Sequence, residues 1–295
     1  MLQSGFAMRR LRVSAISFLN TAPLMWDFEH GRPPNGSPTE AGLAGDFEVS
    51  YTVPAQCAEE LRGGTADIGI IPAITYATIP DLVILPDAVI AAKGPVRSIL
   101  LVSKVPREEV RTVAADTSSR SSVALAQVLF AKFWGGSRPL TPMEPRLEEM
   151  LRACDAGLLI GDPALTVDRT RYHVVDLAEE WNRFTGRPFV FAFWAARLSA
   201  LPEVRGELDI AAVFRQSRDH GLEPQNVAQI ARQWAPRVGM SEAEVTAYLT
   251  RHVHYTLDAE CLQGLELFFQ YAVECGVIAE GPELRFLGRA ACLAR

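Results

Sequence analysis

The chain has 295 residues, of which 48% are hydrophobic and 22% charged, and its formal net charge is −6. These values are typical of a globular protein with one large domain or two medium-sized domains. A mildly acidic chain without a block of basic residues lacks the positive surface that nucleic acids and anionic membranes require, so neither is an expected partner. An anionic substrate would have to be held by a local site against this overall charge.

The N-terminal region raises the question of export. Residues 8–19 combine a basic start with an apolar stretch, as a secretory signal peptide does. Polar residues interrupt the stretch, so we expect a first β-strand preceded by a short leader, with Met8 as the native start. No apolar run reaches the roughly 18 residues that span a bilayer. The 5 cysteines are widely spaced and form no CxxC or Cys/His cluster, which favours a reduced, cytoplasmic protein without structural zinc.

The N-terminal third alternates between strand and helix patterns. Apolar alternation predicts strands at 12–18, 47–53 and 67–72, and a helix is expected to begin at Pro54, where proline is favoured. The segment 31–45, rich in glycine and proline, is expected to be a loop. This β-α-β-α-β order predicts a parallel sheet with helices on its faces.

The same rhythm restarts after two apolar runs at 83–92 and 99–103. We interpret the Gly-Pro segment between them as a crossing between two lobes. The later patterns predict strands at 112–115, 156–160, 172–177 and 189–196, and helices at 123–134 and 147–153. From about Leu198 the chain looks almost wholly helical. These patterns predict two small α/β units and a helical C-terminal segment, an arrangement that usually places a ligand between the units.

The strongest local signal is a polar loop between a predicted strand and the helix that follows it. It carries one guanidinium, from Arg120, and five hydroxyls, from Thr117, Ser118, Ser119, Ser121 and Ser122. Free N–H groups and the helix dipole make such a position a site for anions, and an arginine fork suits a carboxylate. An ordinary helix cap would need only one or two hydroxyls, so we favour an anion site.

Four further loops are weaker candidates. Each follows a predicted strand or lies at the presumed crossing, and together they contribute Ser17 and Asn20, then Pro72, Ala73 and Ile74, then Arg97 and Ser98, and finally Gly161 and Asp162. A local cap explains Asn20 and Asp162 equally well, and a surface turn is the better explanation of Arg97.

Several common chemistries are not indicated. The chain has no GxGxxG or Walker A sequence for a dinucleotide or nucleoside triphosphate, and no GxSxG nucleophile elbow. Its histidines are scattered, and the local pair His252 and His254 would point in different directions on a helix. We therefore expect neither a metal nor a cofactor.

The loops together resemble the chorismate dehydratase family of menaquinone biosynthesis, over about residues 11–197. The resemblance rests on seven blocks in the same order, which are SFLNTAPL from Ser17, VPAQCA from Val53, DIGIIPA from Asp67, GPVRS from Gly94, TSSRSSVAL from Thr117, LLIGDPAL from Leu158, and DLAEEW with TGRPFVFA from Asp176. Phe18 stands where the family often has tyrosine, and Ser121 where threonine is common.

The resemblance implies a two-lobed α/β fold of the type II periplasmic-binding-protein kind, with a ligand cleft between its lobes. We assign residues 1–97 to the first lobe, 98–193 to the second, and 194–295 to a mainly helical part that returns to the first lobe.

The implied reaction is loss of water from chorismate to give 3-(1-carboxyvinyloxy)benzoate, without metal or redox cofactor. The Arg120 loop would hold one substrate carboxylate, and the amides near Ala73 and Ile74, with Ser98, the other. Asn20 would orient the reacting hydroxyl or the ring carboxylate. Either Asp162 or a carboxylate of the substrate would take the proton.

Two other functions compete with this one. A solute-binding protein of the same fold would also have an anion cleft, but it would be exported. The sister enzyme of the same pathway, 1,4-dihydroxy-6-naphthoate synthase, is expected to use a histidine base in its second lobe, where this chain has only His173, outside any recognised motif.

Overall fold

The computed structural model describes residues 9–31, 46–203 and 209–288. The leader before Arg9 and nearly all of the predicted loop 31–45 lie outside these residues. Two five-stranded sheets form the framework. A large apolar core extends through both of them, and a smaller one lies on the other face of the second sheet, around Met150. None of the described helices is both long and apolar enough to cross a membrane.

The first sheet has the strand order β2-β1-β3-β10-β4. Its strands are β1 (Leu11–Ile16), β2 (Phe47–Thr52), β3 (Ile68–Pro72), β4 (Leu82–Ala92) and β10 (Phe189–Arg197). The prediction of a parallel sheet is correct for β1, β2 and β3 but wrong for the whole sheet, because β10 runs antiparallel to both of its neighbours. The reason is that β4 leads the chain out to the second lobe, and β10 brings it back in the opposite direction.

Helical segments begin directly after three strands of the first lobe. A 3-10 helix at Leu19–Met25 and α1 (Trp26–His30) follow β1, α2 (Pro54–Gly63) follows β2, and a second 3-10 helix at Ala73–Thr78 follows β3. Helix α2 begins with proline at its first turn, as predicted, and ends at Gly64 with a left-handed φ of 73°. The free N–H groups at these helix starts therefore point away from the sheet, toward the second lobe.

The second sheet has the order β7-β6-β8-β5-β9. Its strands are β5 (Ile99–Ser103), β6 (Val113–Asp116), β7 (Leu140–Met143), β8 (Ala156–Ile160) and β9 (His173–Asp176), and its helices are α3 (Ser121–Lys132), α4 (Leu147–Ala153), α5 (Asp162–Leu165) and α6 (Leu177–Thr185). The sequence patterns missed β7, a short edge strand with an internal proline, and α6, which Asp176 caps by accepting from two backbone amides.

The chain passes from the first sheet to the second between Ala92 and Ile99, and returns between Thr185 and Phe189. The division that we placed between residues 193 and 194 falls inside β10, which pairs in the first sheet along its whole length.

The C-terminal helices pack mainly on the first lobe. They are α7 (Ile210–Gly221), α8 (Pro224–Val238), α9 (Glu242–Ala247) and α10 (Ala259–Glu274), and a π-helical turn at Tyr248–His252 follows α9. Helix α7 lies against the 3-10 segment after β1 and against β4, and α10 lies against β10 and α3. Gly221 permits this packing, because a Cβ atom there would collide with the carbonyl of Pro23.

Candidate active site

The loops after β1 and β3 of the first lobe face the loops after β6 and β8 of the second lobe. A narrow cavity of about 40 Å³ lies between them, so a ligand much larger than a water molecule would require the lobes to move apart. Polar and backbone groups on its wall come from Asn20, Ser119, Arg120, Ser121, Ser122 and Gly161. Apolar side chains complete the wall, chiefly those of Ile16, Phe18, Ile90, Ile99, Ile160 and Phe191. The structure thus brings five of the predicted polar side chains and Gly161 to one place.

Among the described residues, three hydrogen bonds from the loops of the first lobe join the lobes across the cleft. The backbone N–H of Leu19 donates to the Asp162 carboxylate over 3.0 Å, and that of Ala55 donates to the Ser118 carbonyl over 3.0 Å. The N–H of Ile74 donates to the Ser121 hydroxyl over 3.2 Å. Each donor comes from the helical segment that follows β1, β2 or β3, so the structure shows a closed cleft in which the first lobe supplies the N–H groups.

The side chain of Asp116 stabilises the loop that begins at this residue. The buried Asp116 carboxylate accepts from the Ser118 amide (2.9 Å), from the Ser118 hydroxyl (2.6 Å) and from the Ile160 amide (3.3 Å). Burial raises the pKa of Asp116, and these hydrogen bonds oppose the rise. The Thr117 hydroxyl points to Glu144 instead, over 3.3 Å. Ser118 and Thr117 therefore support the loop and do not line the cavity.

The remaining members of the loop face the cavity, where α3 begins at Ser121. Arg120 is exposed and donates only long hydrogen bonds, of 3.3 and 3.4 Å, to the carbonyls of Thr117 and Ser119. Within the described part of the chain its guanidinium forms no ion pair. The loop thus offers a positive charge and hydroxyl groups beside a helix N-terminus, which is the arrangement that binds a carboxylate.

Asn20 lies on the opposite wall, in the 3-10 segment after β1. Its amide oxygen Oδ1 is buried and has no hydrogen-bond partner in the part of the chain that the structure describes. A buried hydrogen-bond acceptor without a donor lowers the stability of the folded protein, so we expect a ligand or a water molecule to donate to Oδ1. Ser17, the other candidate from this loop, is exposed, and its hydroxyl bonds the Thr52 carbonyl over 3.2 Å. It does not line the cavity.

Asp162 occupies the first position of α5, beside the cavity but not on its wall. Burial raises the pKa of its carboxyl from 3.8 to about 6, against the lowering effect of the Leu19 amide. The preceding Gly161 has a φ of +62°, and a Cβ atom there would lie 2.6 Å from the Phe18 ring. Glycine is thus required at this position both for the backbone turn and for the close approach of the lobes.

The two remaining loops contribute less than expected to the wall. Pro72 lines the cavity, but Ala73 does not, and Ile74 contributes the amide that is already bonded to Ser121. Arg97, with a positive φ of 67°, donates its backbone N–H to Asp176 over 2.6 Å. Ser98 is fully buried behind the cavity wall.

Sequence reasoning missed Tyr248, in the π-helical turn after α9. Its hydroxyl donates to the Ser98 Oγ over 2.8 Å, and its side chain is almost completely buried. A single tyrosine in a helical segment carries no local signal of a site. Phe191, on β10, also lines the cavity.

A group of possible metal ligands occurs elsewhere, where His254, Asp258 and Cys261 place their ligand atoms within 4.8 Å of one another. The Lys93 ammonium lies 2.7 Å from the Asp258 carboxylate, so this carboxylate is already paired with a positive charge. His252 bonds the Pro95 carbonyl instead. None of these residues lines the cavity.

A sequence model of the menaquinone biosynthesis family matches residues 11–274. The chain belongs to this family. It is 30% identical over 243 residues to a chorismate dehydratase of Thermus thermophilus, covering 75% of this chain and 85% of that protein. The family resemblance that the sequence blocks predicted is thereby confirmed.

Solved structures of similar fold are periplasmic-binding-protein-like. A protein from Archaeoglobus fulgidus has a TM-score of 0.66 at 14% identity, covering 91% of this chain and 98% of that chain. The periplasmic aliphatic sulphonate binding protein of Escherichia coli has a TM-score of 0.61 at 17% identity, covering 97% of this chain and 96% of that chain. At these identities the comparison shows the fold alone, and it confirms the predicted two-lobed α/β architecture.

Proposed function

We propose that this protein is a chorismate dehydratase, a lyase that removes water from chorismate to give 3-(1-carboxyvinyloxy)benzoate. The observation that carries the proposal is the composition of the cavity. One uncompensated guanidinium, three hydroxyls and one unpartnered amide oxygen surround a space with apolar walls, in a chain 30% identical to a chorismate dehydratase.

The charged and hydrogen-bonding groups of the two walls would bind different carboxylates of the substrate. One carboxylate would bind Arg120 and the hydroxyls at the start of α3. The second carboxylate would accept a hydrogen bond from the Ile74 amide. This amide becomes available when the lobes separate and its bond to Ser121 breaks. Ser98 donates no group to the cavity in the closed structure, because it is buried against Tyr248. The second carboxylate would therefore rely on the backbone amide.

The unpartnered Asn20 oxygen supports one of the two roles proposed for this residue. An amide oxygen only accepts hydrogen bonds, and the chorismate dianion has a single donor, its C4 hydroxyl. The oxygen of Asn20 would therefore accept from the hydroxyl that leaves, while its NH₂ group could still donate to the ring carboxylate. The contact with the hydroxyl would hold the C4–O bond in the geometry that elimination requires.

The elimination moves one proton and one hydroxyl group. A base takes the C3 proton, the C3–H electrons form the new ring double bond, and the C4–O bond breaks to release hydroxide, which takes the proton from the base and leaves as water. The raised pKa of Asp162, about 6, suits a base near neutral pH. Because this carboxylate lies beside the cavity and is bonded to the Leu19 amide, it would reach the substrate only after the lobes separate. A carboxylate of the substrate is the other available base. Because the ring becomes aromatic, the protein need only orient the groups and exclude water.

The competing functions receive less support from the geometry. His173, the only candidate for a histidine base in the second lobe, is exposed on β9 and lines a surface depression with Arg107 and Glu180, not the cavity. The sulphonate-binding relatives share only the fold. A location in the cytoplasm, expected from the cysteines, remains part of the proposal.

The test is to incubate the purified protein with chorismate, without added metal or cofactor, and to identify the product by mass and absorbance. We expect an aromatic product lighter than chorismate by one water. Saturable chorismate binding without turnover would identify a binding protein instead, and absence of both would contradict the proposed substrate.

A further inference from the structure

Two short crossings connect the lobes. The chain leaves the first lobe through residues 93–98 and returns through residues 186–188. The cavity of the closed structure is narrow, so the lobes must move apart before a ligand much larger than water can enter. Since the chain passes between the two described sheets at these places, the backbone rotations that separate the lobes must occur there.

The π-helical turn after α9 holds the first crossing at two points. The Tyr248 hydroxyl donates to the Ser98 Oγ over 2.8 Å, and both residues are at most 1% exposed. His252, at the other end of the turn, bonds the Pro95 carbonyl over 2.9 Å. The wider helical turn is closed by the Val253 amide, which donates to the Tyr248 carbonyl over 3.2 Å.

The chain beyond this turn is anchored to the first lobe. His254 exchanges two backbone hydrogen bonds of 2.8 Å with Ala91, near the end of β4. The Lys93 ammonium, at the start of the first crossing, lies 2.7 Å from the carboxylates of both Asp258 and Glu260. The first lobe and the C-terminal part are therefore joined up to the point where the crossing begins.

Helix α10 brings the same part of the chain to the second crossing. The Arg187 guanidinium donates to Gln263 Oε1 over 2.6 Å. A Cβ atom at Gly264 would lie 2.1 Å from the Pro188 carbonyl oxygen, so glycine allows the helix to pack directly on the backbone of the crossing. One segment, residues 248–264, thus contacts both crossings.

The bond between Tyr248 and Ser98 joins this segment to the second lobe. Ser98 directly precedes β5, and its carbonyl accepts the Gly161 amide over 2.8 Å, so Ser98 moves with the second lobe. Arg97, one position earlier, has a left-handed φ of 67°, a strained conformation for a residue other than glycine. A backbone rotation at Arg97 would relieve this strain, but it would carry Ser98 away from Tyr248.

We propose that residues 248–264 form a brace that restrains the separation of the lobes by holding both crossings, with the bond between Tyr248 and Ser98 as its main restraint. Loss of a buried hydrogen bond that breaks on opening shifts the equilibrium toward the open cleft. The C-terminal part of the chain thereby controls ligand entry and product release. The inference goes beyond the proposed function, because it applies to any ligand of this cleft.

The structure supplies a direct measure of opening. The amides of Leu19, Ala55 and Ile74 donate to acceptors in the second lobe, so hydrogen exchange at each of them requires the lobes to separate. Their exchange rates, followed by NMR on the protein without ligand, report the population of the open cleft. Because the measurement needs no substrate, its outcome is independent of whether the protein converts chorismate.

Tyr248→Phe should raise the exchange rates of these amides by about fivefold, the effect of losing one buried hydrogen bond. Tyr255→Phe is the matched control. Tyr255 is 4% exposed and its hydroxyl has no hydrogen-bond partner among the described residues, so its removal should leave the rates unchanged. Unchanged rates in Tyr248→Phe would overturn the proposal.

Two comparisons separate the brace from a general loss of stability. Amides within β1 and β3 should exchange at the same rates in Tyr248→Phe as in the unaltered protein, and a parallel increase there would contradict the proposal. Ser98→Ala should match the effect of Tyr248→Phe, and the double variant should exceed neither, because both remove the same bond. If Tyr248→Phe does not fold, Ser98→Ala provides the test.

Discussion

The two walls of the cleft use different kinds of chemical group. The first lobe offers backbone N–H groups, from Leu19, Ala55 and Ile74, at the starts of three helical segments. The second lobe offers side chains, namely the Asp162 carboxylate, the Arg120 guanidinium and the hydroxyls of the 119–122 segment. Asn20 is the exception, because it places a side-chain amide on the first wall.

This difference predicts where substitutions will matter. A backbone donor is present whatever side chain its residue carries, so the first wall depends on the ends of its strands and helices. On the second wall, by contrast, a single substitution can remove each side-chain group separately. Variants of the second wall and of Asn20 should therefore change function strongly, while most first-wall substitutions should act through packing.

The largest effect is expected for Asp162→Asn. Removal of a general base should lower kcat by about 10³-fold, and kcat/KM of the unaltered enzyme should fall below a pH of about 6, where the carboxyl becomes protonated. Asp168→Asn, which alters an exposed aspartate further along the same connection, is the control and should retain full activity. Unaltered turnover by a folded Asp162→Asn enzyme would assign the proton to a substrate carboxylate.

The same substitution, which is expected to lower kcat, should increase the stability of the folded protein above pH 6. Because folding raises the pKa of Asp162 from 3.8 to about 6, its stabilising contribution is present below the lower value and is lost as pH rises through the upper one. Asp162→Asn should therefore be more stable than the unaltered protein above pH 6, relative to pH 4, in thermal unfolding followed by circular dichroism. Parallel stability profiles of the two proteins would contradict this assignment of the pKa.

Asn20→Ala should have the next largest effect. Loss of the acceptor for the leaving hydroxyl is expected to lower kcat by about 10²-fold, a cost typical of removing one positioned hydrogen-bonding group. Asn182→Ala removes a surface amide that bonds the Arg187 carbonyl and should leave kcat unchanged. If steady-state kinetics showed a rise in KM alone, Asn20 would bind a part of the substrate that does not react.

Arg120→Ala should weaken binding more than turnover. We expect KM for chorismate to rise about 30-fold, since a charge-assisted contact with a carboxylate is lost from a partly exposed site. The control is Arg62→Ala, which removes an exposed guanidinium paired with Glu59 outside the cavity and should change KM less than about twofold. Equal effects of the two variants would mean that only the overall charge matters.

The smallest effect is expected for Ser121→Ala, which removes one bond between the lobes. The Ile74 amide loses its acceptor, so the closed form should be destabilised by about 1 kcal/mol. Small-angle scattering without ligand should show a larger radius of gyration than the unaltered protein does. Ser17→Ala removes an exposed hydroxyl outside the cavity and should leave the profile unchanged. A larger radius in the control as well would point to loss of stability.

The sequence alone predicted a helix or strand correctly wherever residues within that element determine its bounds. The start of α2 at Pro54 and all of α4 at Leu147–Ala153 follow from proline placement and apolar spacing, and both were predicted. Strand β7 and helix α6 were missed, because a four-residue edge strand has little pattern and the α6 cap depends on Asp176 at the end of β9.

Within the site, the sequence found the groups but not their partners. The hydroxyl-rich loop and Asn20 were identified from strand ends and residue types, and the structure brings Asn20, Arg120 and three of the hydroxyls to one cavity. The sequence could not show that Asp116 uses the Ser118 hydroxyl, because that contact depends on a backbone turn. Nor could it show that Ser98 is buried against a tyrosine 150 positions away.

The sequence by itself determined the family and the α/β class, and it placed the candidate groups after strands, since periodicity and short motifs are local properties of the chain. Only the tertiary structure decided the direction of β10, the bonds that close the cleft and the bond between Tyr248 and Ser98. These features join residues far apart in the chain. Their geometry is set by the packing of two lobes, which no local pattern encodes.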